Sequence, residues 1–584
     1  MALAITGFSL SALFSPKATL ENLRIRVASV EALPQLSLLG LLAGLLAGTV
    51  TVAFRLAVDI DQTALLPSHQ VDDFESLNWI GRLLLPTLGG LGIGLLQEIA
   101  HTYRTVGVVH VLERIAYYQG RLPWRNALQQ FVTAALSIIY GHSVGREGPS
   151  VHLGAASGSL LGQWLELPNN ALRTLVACGI AAAIAASFNT PLAGVIFSME
   201  VIMMQYQLAG VAPIILAAVV GAAIAWAVFG PSPAFSVPPT EMQSLLDLPY
   251  LVLIGLVVGI LAATYNWLLR FFSRLGNSRP VWQRCTAAGL LVGLCGIAVP
   301  EIMGLGYDTV NAALLGQLGL GTLVAITTLK LFATTACVGL GIPGGLIGPT
   351  LVIGTAAGGA LGIIGTALLP QEASPLALYA MVGMAAMMSA TLQAPLAALM
   401  ALVELTADPH ILFPGMLAVV VANLGAKELF HQEALFLMLL RTRGLDYHYA
   451  PTALKLRQTG VASVMDRRFV ELPVTIDRKT MAQALAKNPR WVVVKQDFRP
   501  ISVIQAADVA RALSEESLDL LDLMEIPAAR EDIRPIPFHA TLQEALEILD
   551  TSHANMLYVE RRIGPTSTRI YGVLSRQDIE SYYG

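Results

Sequence analysis

The chain has 584 residues, 55% hydrophobic and 13% charged, with a mean hydropathy of +0.63. That excludes a soluble protein of this length and calls for many membrane spans. A formal net charge of −4 gives no reason to expect nucleic acid, and Cys178, Cys285, Cys295 and Cys337 have neither pairing nor metal spacing, so they read as small core residues.

Met1 to Phe14 is apolar but lacks a basic lead and a small-residue cleavage site, so it is a poor signal peptide. Lys17, Arg24 and Arg26 precede the first long apolar run and point to a cytoplasmic N-terminus, with residues 1–34 a cytoplasmic or interfacial segment. The first span is expected at Leu38 to Phe54, running on to Val58, then a loop over Asp59 to Asn78 and an apolar run at Leu83 to Leu96. Arg104-Thr-Val-Gly-Val-Val-His-Val111 is the next landmark, and Arg114, Arg121 and Arg125 mark a basic cytoplasmic loop.

Gly141-His-Ser-Val-Gly-Arg-Glu-Gly-Pro-Ser-Val-His-Leu-Gly154 then sets Arg146 and Glu147 into apolar sequence. A carboxylate at bilayer depth is costly unless it serves a pathway or has a partner. Gly145, Gly148 and Pro149 suit a broken helix whose new N-terminus starts near Pro149, its free N–H groups and positive dipole end aimed at an anion. An Arg146–Glu147 salt bridge at a membrane boundary is the plain alternative.

Gly145-Arg-Glu-Gly-Pro149 followed by an apolar helix resembles the signature of the CLC family of chloride channels and chloride/proton exchangers. The resemblance covers nearly the whole chain. It implies an all-α polytopic membrane fold with inverted-repeat broken helices, a homodimer with one pathway per subunit, chloride as the transported ion and no required cofactor. Glu147 falls on the family's gate at the outer anion site, with Arg146 and Gly148 beside it. In the family a Gly-Ser-Gly-Ile-Pro element precedes the gate, and its serine helps coordinate the central anion. Here the serine position is Val106 and the proline position Val109; only Gly107 matches. Loss of one buried donor to an anion is worth about 1–3 kcal/mol.

Phe188-Asn-Thr-Pro-Leu-Ala-Gly-Val-Ile-Phe-Ser-Met-Glu200 interrupts the next apolar stretch, and Asn189 and Pro191 start a helix rich in small residues. Glu200 matches the family's structural glutamate. The next position, a proton-transfer glutamate in typical exchangers, is Val201, which cannot carry a proton. Glu200 is either a hydrogen-bonded structural carboxylate or a substitute relay. Residues 230–249, rich in proline at first, join two halves, about 35–230 and 249–445, as in inverted-repeat transporters.

The second half carries Gly339-Leu-Gly-Ile-Pro-Gly-Gly-Leu-Ile-Gly-Pro-Thr-Leu-Val-Ile-Gly354, similar to the family stretch whose backbone amides bind the anion. Gly345, Leu346 and Ile347 fall on the coordinating positions, and Pro349 reopens a helix. Gln393-Ala-Pro-Leu-Ala echoes Asn189-Thr-Pro-Leu-Ala. Where the family has an anion-coordinating tyrosine before the tail, this chain offers Leu435-Phe436, so the second central hydroxyl is absent too.

From Pro451 onward lie 35 of the 76 charged residues, which makes residues 446–584 a separate cytosolic domain. Short β-rich runs (Trp491 to Val494, Ile501 to Ile504, Met556 to Val559, Ile570 to Leu574) alternate with helical runs (Ala507 to Leu513, Leu542 to Leu549). This resembles a tandem CBS pair, which implies an adenine nucleotide ligand where such modules bind one: Asp578 on ribose and Ser575 on phosphate in one module, Asp508 in the other. Asp508 and Asp578 equally suit helix caps.

Passive chloride conduction gated by Glu147 and chloride/proton exchange by an atypical internal route both remain open; Val201 motivates the first. The Gly148-Pro149 ending is that of chloride-handling members rather than fluoride exporters. A CBS-bearing divalent-cation transporter would need intramembrane acidic clusters, and Glu147 and Glu200 are too few. A membrane enzyme would need a metal cluster or nucleophile motif, and His110, His142 and His152 are scattered, as polar boundary residues are. The expected location is a cell membrane, the bacterial inner membrane, with both termini cytoplasmic.

Overall fold

The computed structural model describes residues 16–29, 32–103, 105–205, 208–235, 237–238, 240–275, 279–368, 373–445, 456–497, 499–515, 520–562 and 568–583. The apolar N-terminal stretch, Arg104 and the expected boundary at 446–450 lie outside these. The chain forms two compact units. One comprises Leu36–Gln163 and Arg173–Tyr447; the other comprises Met1–Gln35, Trp164–Leu172 and His448–Gly584.

The larger unit is helical. In chain order the helices are α1 (Pro16–Arg26, in the smaller unit), α2 (Leu33–Leu65), α3 (Trp79–Ile99), α4 (Gly107–Tyr117), α5 (Trp124–Ile139) and α6 (Glu147–Trp164). Then come α7 (Asn169–Phe188), α8 (Pro191–Phe197), α9 (Leu208–Phe229), α10 (Leu248–Leu275), α11 (Val281–Ala298) and α12 (Tyr307–Leu314). The last are α13 (Leu320–Leu340), α14 (Ile347–Leu368), α15 (Leu376–Leu392), α16 (Pro395–Thr406), α17 (Leu412–Leu424) and α18 (Leu435–Thr442). Among the described residues nine helices are long and apolar enough to cross a membrane, so the chain is a multi-pass membrane protein.

Small residues set the packing. On α2, Gly40, Gly44 and Gly48 recur at helical spacing and meet the backbone of Pro213, Ala217 and Gly221 on α9, while Leu38, Leu42, Leu45 and Leu46 are exposed. Apolar side chains gain nothing from pairing with one another in lipid, so close backbone approach holds such helices together. α2 runs past the expected loop start at Asp59 as far as Leu65. Two of its polar residues find partners within reach: Arg55 forms an ion pair with Asp59 one turn on at 3.5 Å, and Gln62 donates to the Ile138 carbonyl of α5 at 3.1 Å.

Two further expectations are corrected. Arg114 is in the last turn of α4, not in a loop, and Arg125 is in α5; only Arg121 lies between helices. His110, His142 and His152 are fully buried rather than at boundaries. His110 and His152, on α4 and α6, share a hydrogen bond at 2.8 Å, and the Arg114 Nε–H donates to His110 Nε2 at 3.0 Å.

The smaller unit is built on a six-stranded sheet of order β1-β3-β4-β6-β7-β8, with β2 and β5 forming a separate antiparallel pair. The strands are β1 (Phe469–Pro473), β2 (Thr475–Asp477), β3 (Trp491–Gln496), β4 (Arg499–Gln505), β5 (Leu520–Asp522), β6 (Arg530–Pro537), β7 (Met556–Arg562) and β8 (Thr568–Ser575). β1 pairs β3 in parallel and β3 pairs β4 antiparallel; β6, β7 and β8 repeat that pattern. The unit is thus a duplicated α/β module. β3 is apolar on both faces: Val492 and Val494 join one core, Trp491 and Val493 another. A strand covered on both sides reads as a continuous apolar run for this reason.

Candidate functional site

The site is where the two glycine-rich turns meet. Gly145 N–H donates to the Gly345 carbonyl at 2.8 Å, and Gly345 N–H donates back at 2.6 Å. α6 starts at Glu147 and α14 at Ile347, with Pro149 and Pro349 in the first turns. The second arrangement repeats the first 200 residues later. The pairing continues along the helices: Gly154 meets the Gly179 backbone, and Gly354 meets the Gly383 backbone. Two helix N-termini, each a partial positive charge with free N–H groups, therefore share one cradle. A Cβ on Gly345 would lie 2.7 Å from the Gly145 carbonyl, so only glycine lets the turns close.

One acid sits in this cradle. Glu147 is 1% exposed. Its Oε1 accepts from the Tyr307 hydroxyl at 2.5 Å and its Oε2 from the Gly348 N–H at 3.0 Å. Arg146 turns away, donating to the Ser187 carbonyl at 2.9 Å, with its guanidinium 5.0 Å from the Tyr307 ring. The Glu147 carboxylate is thus held by a phenol and an amide rather than by an Arg146 salt bridge.

Cavities lie on both sides of the cradle. The first, about 330 Å³, brings together Val106, Gly107, Gly148, Gly345, Leu346 and Phe436, together with Gln130 and Arg443. The second, about 350 Å³, is lined by Arg55, Asp72, Arg146, Phe188, Tyr307 and Asp308. Ile347, expected beside Leu346, instead lines a small apolar pocket next to Glu147. Arg146 likewise belongs to the second cavity and not to the first. The reason is helical geometry: successive residues at a helix start point in different directions.

The Val106 and Phe436 side chains present no hydroxyl to the first cavity. The polar groups there include the start of α4, where Val106 is an N-cap without a side-chain hydrogen bond, and Gln130, whose Oε1 accepts from Gly107 N–H at 2.6 Å. Gly107 has φ +84°, a conformation that favours glycine.

Glu200 is engaged elsewhere. It accepts from Leu396 N–H at 3.3 Å and Ala397 N–H at 2.6 Å, capping α16. Glu404 returns the contact, accepting from Leu192 N–H at 2.9 Å and Ala193 N–H at 2.7 Å at the start of α8. Each acid stands nine residues after a helix-opening proline, Pro191 or Pro395. Val201 is buried. In the smaller unit Asp578 accepts from the Ser575 N–H and hydroxyl at 2.9 and 2.6 Å, and the Ser575 hydroxyl accepts from Asp578 N–H at 3.2 Å, a helix cap. Asp508 pairs with Arg511 at 3.6 Å.

Tyr307, Gly348, Gln130 and Glu404 were not singled out in the sequence. Gly304-Leu-Gly-Tyr307 and the Pro395-to-Glu404 spacing are the local signals that mark two of them.

Residues 88–427 match the model of the family described as voltage gated chloride channel. A putative chloride channel protein ClcB-like from Ralstonia nicotianae is 34% identical over 394 residues, covering 66% of this chain and 92% of that protein. The H(+)/Cl(-) exchange transporter ClcA of Vibrio cholerae is 29% identical over 404 residues, covering 66% of this chain and 84% of that one. A crystal structure of a eukaryotic CLC transporter superposes with a TM-score of 0.59 at 18% identity, covering 94% of this chain and 99% of that one.

Proposed function

Since the chain belongs to the voltage gated chloride channel family, we propose that it conducts chloride between the two cavities, with Glu147 as the gate. The observation that carries this reading is one carboxylate seated on the paired helix starts, with a cavity on either side. A carboxylate and a halide compete for the same N–H groups, so the pathway is closed while Glu147 occupies them and open when it leaves. Arg146 adds positive potential to the Tyr307 cavity, and the Gly345 and Leu346 backbone serves anions from the Phe436 cavity.

Conduction without proton coupling is the reading favoured here. An internal proton relay needs a titratable group, Val201 has none, and the Glu200 carboxylate is taken up by two amides of α16. Coupled exchange draws its support from the ClcA relative. The duplicated α/β module, residues 446–584 by sequence, fits a CBS pair in which Ser575 and Asp578 serve as a cap, an adenine nucleotide being its candidate ligand. The reading extends to a homodimer with one pathway per subunit, a bacterial inner membrane and cytoplasmic termini.

Chloride and proton flux measured in the same proteoliposomes tests this. We expect chloride efflux without chloride-driven uphill proton movement, and Glu147→Gln to raise chloride flux at neutral pH. A fixed chloride-to-proton ratio would overturn the uncoupled reading, and unchanged flux in Glu147→Gln would overturn the gate.

A further inference from the structure

We propose that Tyr307 is the latch of this gate, a positioning residue whose phenol O–H holds the Glu147 carboxylate closed across the helix starts. The inference rests on Glu147 acting as the gate. Tyr307 opens α12, next to Gly306, which has φ +76°. The Leu305 and Gly306 N–H groups are held by the buried Asp72 carboxylate at 2.8 and 2.6 Å, so the turn presenting the phenol is itself anchored. The ring is fixed on three sides: Phe235 packs edge-on at 5.7 Å, Phe188 tilts against it at 6.1 Å, and the Arg146 guanidinium lies 5.0 Å away. Its hydroxyl then makes one of the two hydrogen bonds to the acid, and it lines the cavity the acid would enter on leaving the cradle. A hydrogen bond to an ionised acceptor in a dry site is among the stronger ones. Its loss should therefore shift the balance of closed and open gate.

The test is chloride flux against pH in proteoliposomes for the parent, Tyr307→Phe, Glu147→Gln and the double variant. Phenylalanine keeps the ring contacts, and gel filtration checks the fold. Protonation removes the charge with which the carboxylate competes against a halide, so the gate reading expects flux to rise on acidification. Tyr307→Phe should raise flux at neutral pH by about tenfold and move the midpoint of that acid activation up by about one pH unit. Fluorotyrosine at 307, a stronger donor of the same shape, should move the midpoint the other way. Arg55, Arg146, Asp72, Asp308, Lys330 and Tyr265 also face this region, and burial, with Asp308 adding to it, pushes the Asp72 carboxyl up to about 7. All of these remain in Glu147→Gln, so adding Tyr307→Phe to that background should change nothing. An unchanged midpoint in Tyr307→Phe, or an equal flux increase in both backgrounds, would overturn the latch while leaving the gate intact. Insensitivity of flux to Glu147→Gln would overturn both.

Discussion

Val106 and Phe436, 330 positions apart in the sequence, line one cavity without offering it a hydroxyl. On the proposed reading, an anion there would depend on backbone N–H groups and water, which hold it less tightly than a fixed donor in a dry site. We expect Val106→Ser and Phe436→Tyr each to strengthen chloride binding by about tenfold, read by calorimetry on the detergent-solubilised chain. The two gains should fall short of additive, because both hydroxyls would serve one ion. The apolar pair was legible in the sequence by its place relative to the glycine motifs. Gln130 was not: a glutamine in an amphipathic helix carries no mark that its carbonyl will take the amide of a residue 23 positions earlier.

Among the helices, the exchange of carboxylates between α8 and α16 is the clearest design. Glu200 caps one and Glu404 the other, each through two main-chain N–H groups. Removing either leaves two amides at a helix start without their acceptor and should cost about 1–2 kcal/mol. Glu200→Ala and Glu404→Ala should lower the thermal unfolding midpoint to a similar extent, with proton flux unchanged in both. Loss of proton movement in Glu200→Ala alone would mark that acid as a relay. The glycine and proline motifs could be read from sequence because they act on their own backbone. Tyr307 and Glu404 carry local signals, but their partners could not be read from them, since those lie 160 and more than 200 residues away and meet them only through helix packing.

At the scale of the whole molecule, a helical unit and a duplicated α/β unit follow different solvent rules. The first hides polar groups among small residues; the second relies on charged ones at its surface. Asp466 shows the second strategy. Burial pushes its carboxyl up, but the Arg468 N–H and guanidinium and the Arg490 guanidinium outweigh that and draw it below its ordinary value of 3.8. A carboxylate lowered on folding stabilises the fold above its ordinary value, and this contribution is lost as pH falls through that value toward the lowered one. In the full chain, Asp466→Asn should speed hydrogen exchange at Val573, whose amide pairs with the Asp466 carbonyl, at neutral pH. The difference from the parent should vanish as pH drops below 3.8. Charge density set residues 446–584 apart as an expected domain, but gave no sign that Trp164–Leu172 would group with the smaller unit. β1, β5 and β6 were not legible, because charged residues interrupt their apolar pattern.

The reciprocal bonds between Gly145 and Gly345 have a further consequence. An aperture framed by main chain keeps its width whatever side chains surround it, so its bore and its chemistry are separate inheritances. On the proposed reading, substitution at 106, 130 or 436 would alter the cavity lining without disturbing the frame. A methyl group added at Gly345 would instead break the frame at once, however well the surroundings suited the ion.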